Sequence, residues 1–132
     1  MNRKISVLIV DDDPRLLKAY NLKMHKEGLE THILSDPVRA IEEARNIKPD
    51  VIILDVLMPV KSGWDILNEL KADNQLQNTP VLLVSNIGSS EKEIEAKAAG
   101  AAAYVVKSDT PLAVLIDMIK QQVPTQQTDA QN

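Results

Sequence analysis

Three consecutive aspartates, Asp11, Asp12 and Asp13, follow the apolar run Ile5–Val10 and precede Pro14. Neighbouring carboxylates repel one another, so such a run is costly unless a cation or a helix terminus offsets it. Asp13 stands directly before Pro14, the pairing expected of a helix N-cap followed by proline at the first helical position. Asp11 and Asp12 are left for other work. A fourth aspartate, Asp55, ends a second apolar run in VIILD. Ser85 ends a third in VLLVS, and Lys107 follows a fourth in YVV. Three carboxylates, a hydroxyl and an ammonium thus each sit at the end of an apolar run. Hard oxygen donors of this kind suit Mg2+, which takes one or two carboxylates, several waters and a phosphate oxygen. Service to a helix N-terminus alone would leave Asp55 and Lys107 unexplained.

The elements that must bring these groups together are legible as an alternation. The aliphatic runs Ile5–Val10, Thr31–Leu34, Val51–Leu54, Val81–Val84 and Ala103–Val106 read as strands. Three of them are nearly solid β-branched or Leu residues, as strands covered on both faces require. Between them lie helical patterns: Leu17, Tyr20 and Met24 share one face, as do Leu112, Leu115, Ile116 and Ile119. Helix starts are marked by Asp36-Pro37 and Thr110-Pro111, by a capping box at Ser90 and Glu93, and by a weaker one at Ser62 and Asp65. Five strand-then-helix units predict an α/β fold, a doubly wound parallel sheet with helices on both faces. In such a sheet, sites form beyond the carboxyl ends of the strands. That is where Asp11, Asp12, Asp55, Ser85 and Lys107 fall. Helix four is weakly apolar, with Ile94 and then Ala96, Ala98 and Ala99, which predicts low local stability there. Residues 1–123 form one predicted domain; 124–132 are polar, lack an apolar face and are predicted to be disordered.

Composition narrows the function further. The 132 residues are 44% hydrophobic, with one Trp, two Tyr and no Phe, so the core must be aliphatic. Net charge is −4, and no basic cluster offers a phosphate-backbone footprint for nucleic acid. Without Cys there are no disulfides and no thiolate metal sites. No apolar run approaches the length of a membrane span, and the N-terminal run is too short for a signal peptide. A cytoplasmic protein with neither nucleic-acid nor membrane partners is expected.

The motifs LIVDDDP, IILDVLMPVKSGWD, LLVSN and GAAAYVVKSD, in this order and at these separations, resemble the receiver domain of the two-component response-regulator family. The resemblance covers about residues 4–122. It implies a flavodoxin-like (βα)5 fold with strand order 2-1-3-4-5. It also implies a phosphorylation-dependent signalling switch rather than an enzyme, capable only of self-phosphorylation and slow self-dephosphorylation. Asp55 would be the phosphoacceptor, loaded by a histidine kinase or a histidine phosphotransfer protein. Asp11, Asp12, Asp55 and the backbone carbonyl of Leu57 would hold Mg2+ or Mn2+. Lys107 would pair with a phosphoryl oxygen, and Ser85 and Tyr104 would act as the switch pair, altering the surface of helix four, strand five and helix five. Leu57 and Ile87, both apolar, would flank the path of a hydrolytic water.

Three positions depart from the family pattern. Ser108 stands where proline usually follows the lysine, Ser62 where an acidic residue is usual, and Asn86 where a small residue is usual. His25 and His32 match no motif and are expected at the surface, and Trp64 is expected near the start of helix three with no chemical role. Two rival readings use the same residues. One is a phosphatase of the haloacid dehalogenase type, with Asp11 as nucleophile and Asp13 as acid. The other is a degenerate receiver serving as an unphosphorylated scaffold. No output domain follows the fifth helix pattern, which leaves a stand-alone, chemotaxis-regulator-like receiver or a piece of a longer chain.

Overall fold

The structure is a computed structural model that describes residues 3–123. The expected tail, 124–132, lies outside the described residues. Five parallel strands form one sheet: β1 (Ser6–Val10), β2 (Glu30–Leu34), β3 (Val51–Asp55), β4 (Val81–Ser85) and β5 (Ala103–Val106), in the order β2-β1-β3-β4-β5. The helices are α1 (Pro14–Lys26), α2 (Ala40–Ile47), α3 (Gly63–Ala72), α4 (Ser90–Ala98) and α5 (Leu112–Gln121). Solid apolar runs become central strands because both their faces are covered. Every residue of β1, β3 and β4 is buried, whereas β2, at an edge, has Glu30 and Ile33 exposed and its other three residues partly covered.

Side chains alternate across each strand, and the alternation divides the core in two. Val7, Ile9, Val51, Ile53, Leu82 and Val84 pack with Leu17, Tyr20 and Met24 of α1 and with Leu115, Ile116 and Ile119 of α5. Leu8, Val10, Ile52, Leu54, Val81 and Leu83 pack with α2, α3 and α4 through Ala40, Ala44, Ile66, Leu67, Leu70 and Ala96. From α4 only Ala96 is buried, in line with the weak apolar pattern of that helix.

Local signals held with some shifts. Asp13 caps α1, accepting from Arg15 N at 3.0 Å, with Pro14 at the first helical position. Ser62 and Asp65 form a reciprocal capping box on α3. Asp36 caps as expected, but the turn it starts is a 3-10 turn, Pro37–Arg39, that leads into α2. Two helix starts differ from expectation. Ser89, not Ser90, caps α4, accepting from Lys92 N at 3.2 Å, and Ser90 is the first helical residue. Thr110 does not cap α5; Pro111 holds the N-cap position, and Thr110 N–H turns back to Lys107 O at the end of a 3-10 turn, Lys107–Asp109. The peptide bond between Lys107 and Ser108 is trans. Val60, 90% exposed, has φ of 72°, a left-handed conformation that β-branched residues rarely adopt.

Candidate functional site: an acidic cavity at the strand ends

The register decides which groups meet. Val10 pairs with Leu54, so Asp11 and Asp55 each stand one residue beyond that pair. Asp55 pairs with Val84, and Ser85 with Val106, so Ser85 and Lys107 follow one step further on β4 and β5. Asp11, Asp12, Asp13, Asp55, Leu57, Ser85, Asn86 and Lys107 line one cavity of about 190 Å3. Carboxylate oxygens of Asp11, Asp12 and Asp55 lie within 4.8 Å of one another. Lys107 Nζ is 2.9 Å from Asp55 Oδ1 and 3.5 Å from Asp11 Oδ2. The β3 strand end is held from behind by Gly63, whose N–H donates to Val56 O at 3.0 Å. A Cβ at Gly63 would overlap the Asp55 carbonyl oxygen, so only glycine lets α3 start this close.

Burial and charge pull against each other here. Asp11 and Asp55 are buried, and Asp12 is exposed. Burial pushes the carboxyl of Asp11 above the usual range; the Asp13 N–H at 2.9 Å and the Lys107 ammonium oppose it but do not win. Burial likewise raises Asp55, with the charges of Asp11 and Asp12 adding to it and Lys107 opposing. Burial alone would lower Lys107, but its hydrogen bond to Asp55 and the two carboxylate charges outweigh burial and raise it. Three carboxylates against one ammonium leave the cavity short of positive charge. The donor set, all hard oxygens, fits Mg2+. Asp13 contributes no carboxylate to this cluster, because its side chain is committed to capping α1.

The remaining predicted residues form a second layer on the α4 side. Ser85 Oγ accepts from Ile87 N at 3.1 Å, and the Tyr104 hydroxyl donates to Ile87 O at 2.8 Å. The two expected switch residues therefore hold one peptide unit each side of Ile87. Leu57 and Ile87 are 64% and 54% exposed, apolar side chains at the surface beside the cavity.

Two residues near the site carried too little signal in the sequence. Trp64, expected to have no role, stacks on Tyr104 with ring centroids 6.5 Å apart and planes at 24°. Lys92 Nζ lies 5.9 Å from the Trp64 ring centre. Tyr20, read only as core, lies close enough to feel the charges of Lys107, Asp11 and Asp55, and burial raises its phenol. His25 is exposed and His32 partly so, as expected.

Among the described residues, β5 is followed only by a 3-10 turn and α5. The further acidic strand that a dehalogenase-type phosphatase needs is not among them, and nothing supports that rival.

Comparison with known proteins agrees with the geometry. The probable transcriptional regulatory protein TcrX of Mycobacterium tuberculosis is 37% identical over 103 residues, 78% of this chain but 43% of that protein. The DNA-binding response regulator MtrA of Mycolicibacterium smegmatis is 29% identical over 80% of this chain and 45% of its own length. The chain therefore spans less than half the length of these curated relatives. By contrast, it matches nearly all of the chemotaxis response regulator CheY4 of Vibrio cholerae, covering 91% of this chain and 99% of that one, with TM-score 0.83 and 29% identity. The family model of the response regulator receiver domain matches residues 7–120; with the 2-1-3-4-5 sheet, this chain belongs to the response-regulator receiver-domain family, whose work is phosphorylation-dependent signalling.

Proposed function

We propose that this domain takes a phosphoryl group onto Asp55 from a phosphohistidine of a histidine kinase or phosphotransfer protein. The observation that carries this reading is the meeting of Asp55, Asp11, Asp12 and Lys107 in one cavity, with Lys107 Nζ 2.9 Å from Asp55. An Asp55 oxygen attacks phosphorus, the new P–O bond forms as the P–N bond breaks, and the imidazole leaves with the electron pair and takes up a proton. Asp11, Asp12, Asp55 and the Leu57 carbonyl would hold Mg2+ or Mn2+, which when bound supplies positive charge against the phosphoryl oxygens. Lys107 transfers its pairing from Asp55 to a phosphoryl oxygen. Ser85 turns its hydroxyl toward the same group and gives up Ile87 N–H. The loop carrying Ile87 then shifts, and the acceptor of Tyr104 shifts with it.

The domain acts as a switch and loads or loses its own phosphoryl group without turning over a separate substrate. No helix among the described residues is long and apolar enough to cross a membrane, and a cytoplasmic location suits the expected kinase partner. The acidic balance assigns no nucleic-acid contact to this domain itself.

The test is labelling by a small phosphodonor. Wild type should accumulate acid-stable, hydroxylamine-sensitive phosphoprotein only with Mg2+, and Asp55→Asn should not, while keeping its fold by circular dichroism. Full labelling of Asp55→Asn would move the nucleophile elsewhere, with Asp11 the next carboxylate in reach.

A further inference from the structure

Among the described residues no strand lies outside β2, so the sheet order leaves its outer edge open. Glu30 N–H donates to Ile5 O at 2.9 Å, and Leu34 O accepts from Asp11 N at 3.1 Å. These two residues, and His32 between them, turn their main-chain groups toward β1. Main-chain direction alternates along a parallel strand, so the N–H and C=O of Thr31 and Ile33 face outward. Natural sheet edges are usually blunted by lysine, proline or a bulge. The segment ETHIL carries none of these. It pairs with β1 in unbroken register from Glu30 to Leu34, and its Ile33 is 44% exposed.

The side chains decide which partner strand fits. Glu30 and His32 share one face of the sheet, with Glu30 Oε2 3.0 Å from His32 Nε2, and they are 57% and 34% exposed. Thr31 and Ile33 share the other face, where the Thr31 hydroxyl donates to Asn21 Oδ1. A second copy of β2, laid antiparallel about a two-fold axis, can bring the outward groups together in three registers. Thr31 meets Thr31, or Thr31 meets Ile33, or Ile33 meets Ile33. The second register sets His32 against His32 and Glu30 against Leu34. The third sets His32 against Leu34. Only the first sets Glu30 of each copy against His32 of the other, so that two carboxylates and two imidazoles alternate across the axis. A carboxylate accepts a hydrogen bond from a neutral imidazole N–H and forms an ion pair with a protonated ring. Side chains directly opposite in this way stand about 4.5–5.5 Å apart at Cβ. The overlap ends with Leu34 of one copy at Gly28 of the other, where an added side chain would meet nothing within 4 Å.

We propose that β2 is a self-association edge. Two copies of this chain pair through antiparallel β2 strands, Thr31 against Thr31, with Glu30 of each copy opposite His32 of the other, and form one continuous sheet. The acidic cavities then lie at opposite ends of that sheet, and the pairing touches neither. The proposal does not depend on the reading of Asp55. Two five-residue strands make a contact smaller than the roughly 1,200 Å2 of a stable interface, so the dimer is weak and reversible, with a Kd on the order of 0.1–1 mM.

The experiment uses the whole chain in EDTA. Sedimentation equilibrium between about 10 μM and 1 mM, the range that brackets such a Kd, reads the mass. Amide hydrogen exchange at the two ends of that range reads the contact. The mass should rise toward that of a dimer, and exchange at Thr31 N–H should slow at the high concentration. Glu30 N–H, bonded to Ile5, should be protected throughout. His32→Glu sets carboxylates against each other and should weaken the dimer by about tenfold with an unchanged circular dichroism spectrum. Adding Glu30→His to His32→Glu should restore it. That rescue is particular to the proposed register, because a register with position 32 facing itself would keep two carboxylates face to face. A monomer at every concentration, a dimer that leaves Thr31 N–H in fast exchange, or a charge swap without rescue would overturn the proposal. Equal protection of Thr31 N–H at all concentrations would also overturn it, by assigning the edge to residues 124–132 of the same chain.

Discussion

Removing the exposed member of the acidic cluster should stabilise the metal-free fold. Asp12 places a carboxylate within 4.8 Å of those of Asp11 and Asp55. At that separation two unit charges repel by about 0.9 kcal/mol in water and about 3.5 kcal/mol at an effective dielectric of 20. Asp12 is exposed, so the lower figure governs. Two repulsions of that size are offset in part by the single ammonium of Lys107, which leaves a net gain of about 1 kcal/mol for Asp12→Asn. For a domain of this length, that raises Tm by about 3 to 5 °C. The assay is thermal unfolding by circular dichroism in EDTA at low salt, then in Mg2+. In EDTA the variant should melt above wild type, and added salt should shrink the gap because Asp12 is at the surface. In Mg2+ wild type should gain more than the variant, since the metal binds the folded state and the variant has lost a ligand. A variant that melts below wild type in EDTA would refute the repulsion argument. Equal gains from Mg2+ in the two proteins would remove Asp12 from the metal site.

Leu57 and Ile87 offer no acceptor to orient an attacking water, so the phosphoryl group should be long-lived. Leu57→Asn combined with Ile87→Glu should shorten its lifetime when phosphoprotein decay is followed in Mg2+ after the donor is removed; unchanged or slower decay would free these side chains from that role. At the opposite end of the sheet the Arg3 guanidinium, at 2.6 Å, holds the Asp50 carboxyl below its usual range, and the Ser6 N–H adds a hydrogen bond at 2.8 Å. A depressed carboxylate stabilises above its unfolded pKa and loses that stability as pH falls through its folded one. Asp50→Asn should therefore cost about 1 kcal/mol near neutrality, and its melting curve should converge on wild type as pH drops below about 4. Val60→Asn should stabilise the fold by about 0.5–1 kcal/mol, because asparagine tolerates the left-handed φ of 72° and the 90% exposed valine buries nothing to lose; a lower denaturation midpoint would contradict this.

The cavity was readable in advance because a parallel sheet leaves little choice. Once VLIV, VIIL and VLLV are buried central strands, the polar residue ending each must emerge at the same edge, and Asp11, Asp55 and Ser85 do so. The helix starts were less constrained. Ser89 and Ser90 are adjacent and chemically identical, and the acidic residue at Glu93 favoured the wrong one; the loop leaving Ser85 sets which serine turns first. Thr110 before Pro111 has the chemistry of a cap, but it closes the 3-10 turn Lys107–Asp109, and the N-cap position of α5 falls one residue later, on Pro111. The stack of Trp64 on Tyr104 joins residues forty positions apart, and neither periodicity nor propensity encodes such a pair.

Of the helices that flank the Asp55 side of the sheet, α4 is the one we expect to respond to a change at Asp55. α3 buries Ile66, Leu67 and Leu70, and α5 buries Leu115, Ile116 and Ile119. Burial of each such side chain is worth about 1.5–3 kcal/mol. α4 buries only Ala96, while Ile94 is 68% exposed. The hydrophobic hold on α4 is therefore weaker than that on either neighbour by several times the 1–3 kcal/mol typical of coupling between sites. What fixes its first turn instead is directional and local: the Ser89 cap, the Lys92 ammonium near Trp64, and the loop whose Ile87 peptide groups are held by Ser85 and Tyr104. Losing one or two such contacts would leave α3 and α5 in place but remove much of what positions α4. A carboxylate cavity on buried strand ends thus lies beside the helix that the core holds least, and we expect a local charge change there to move that helix before its neighbours.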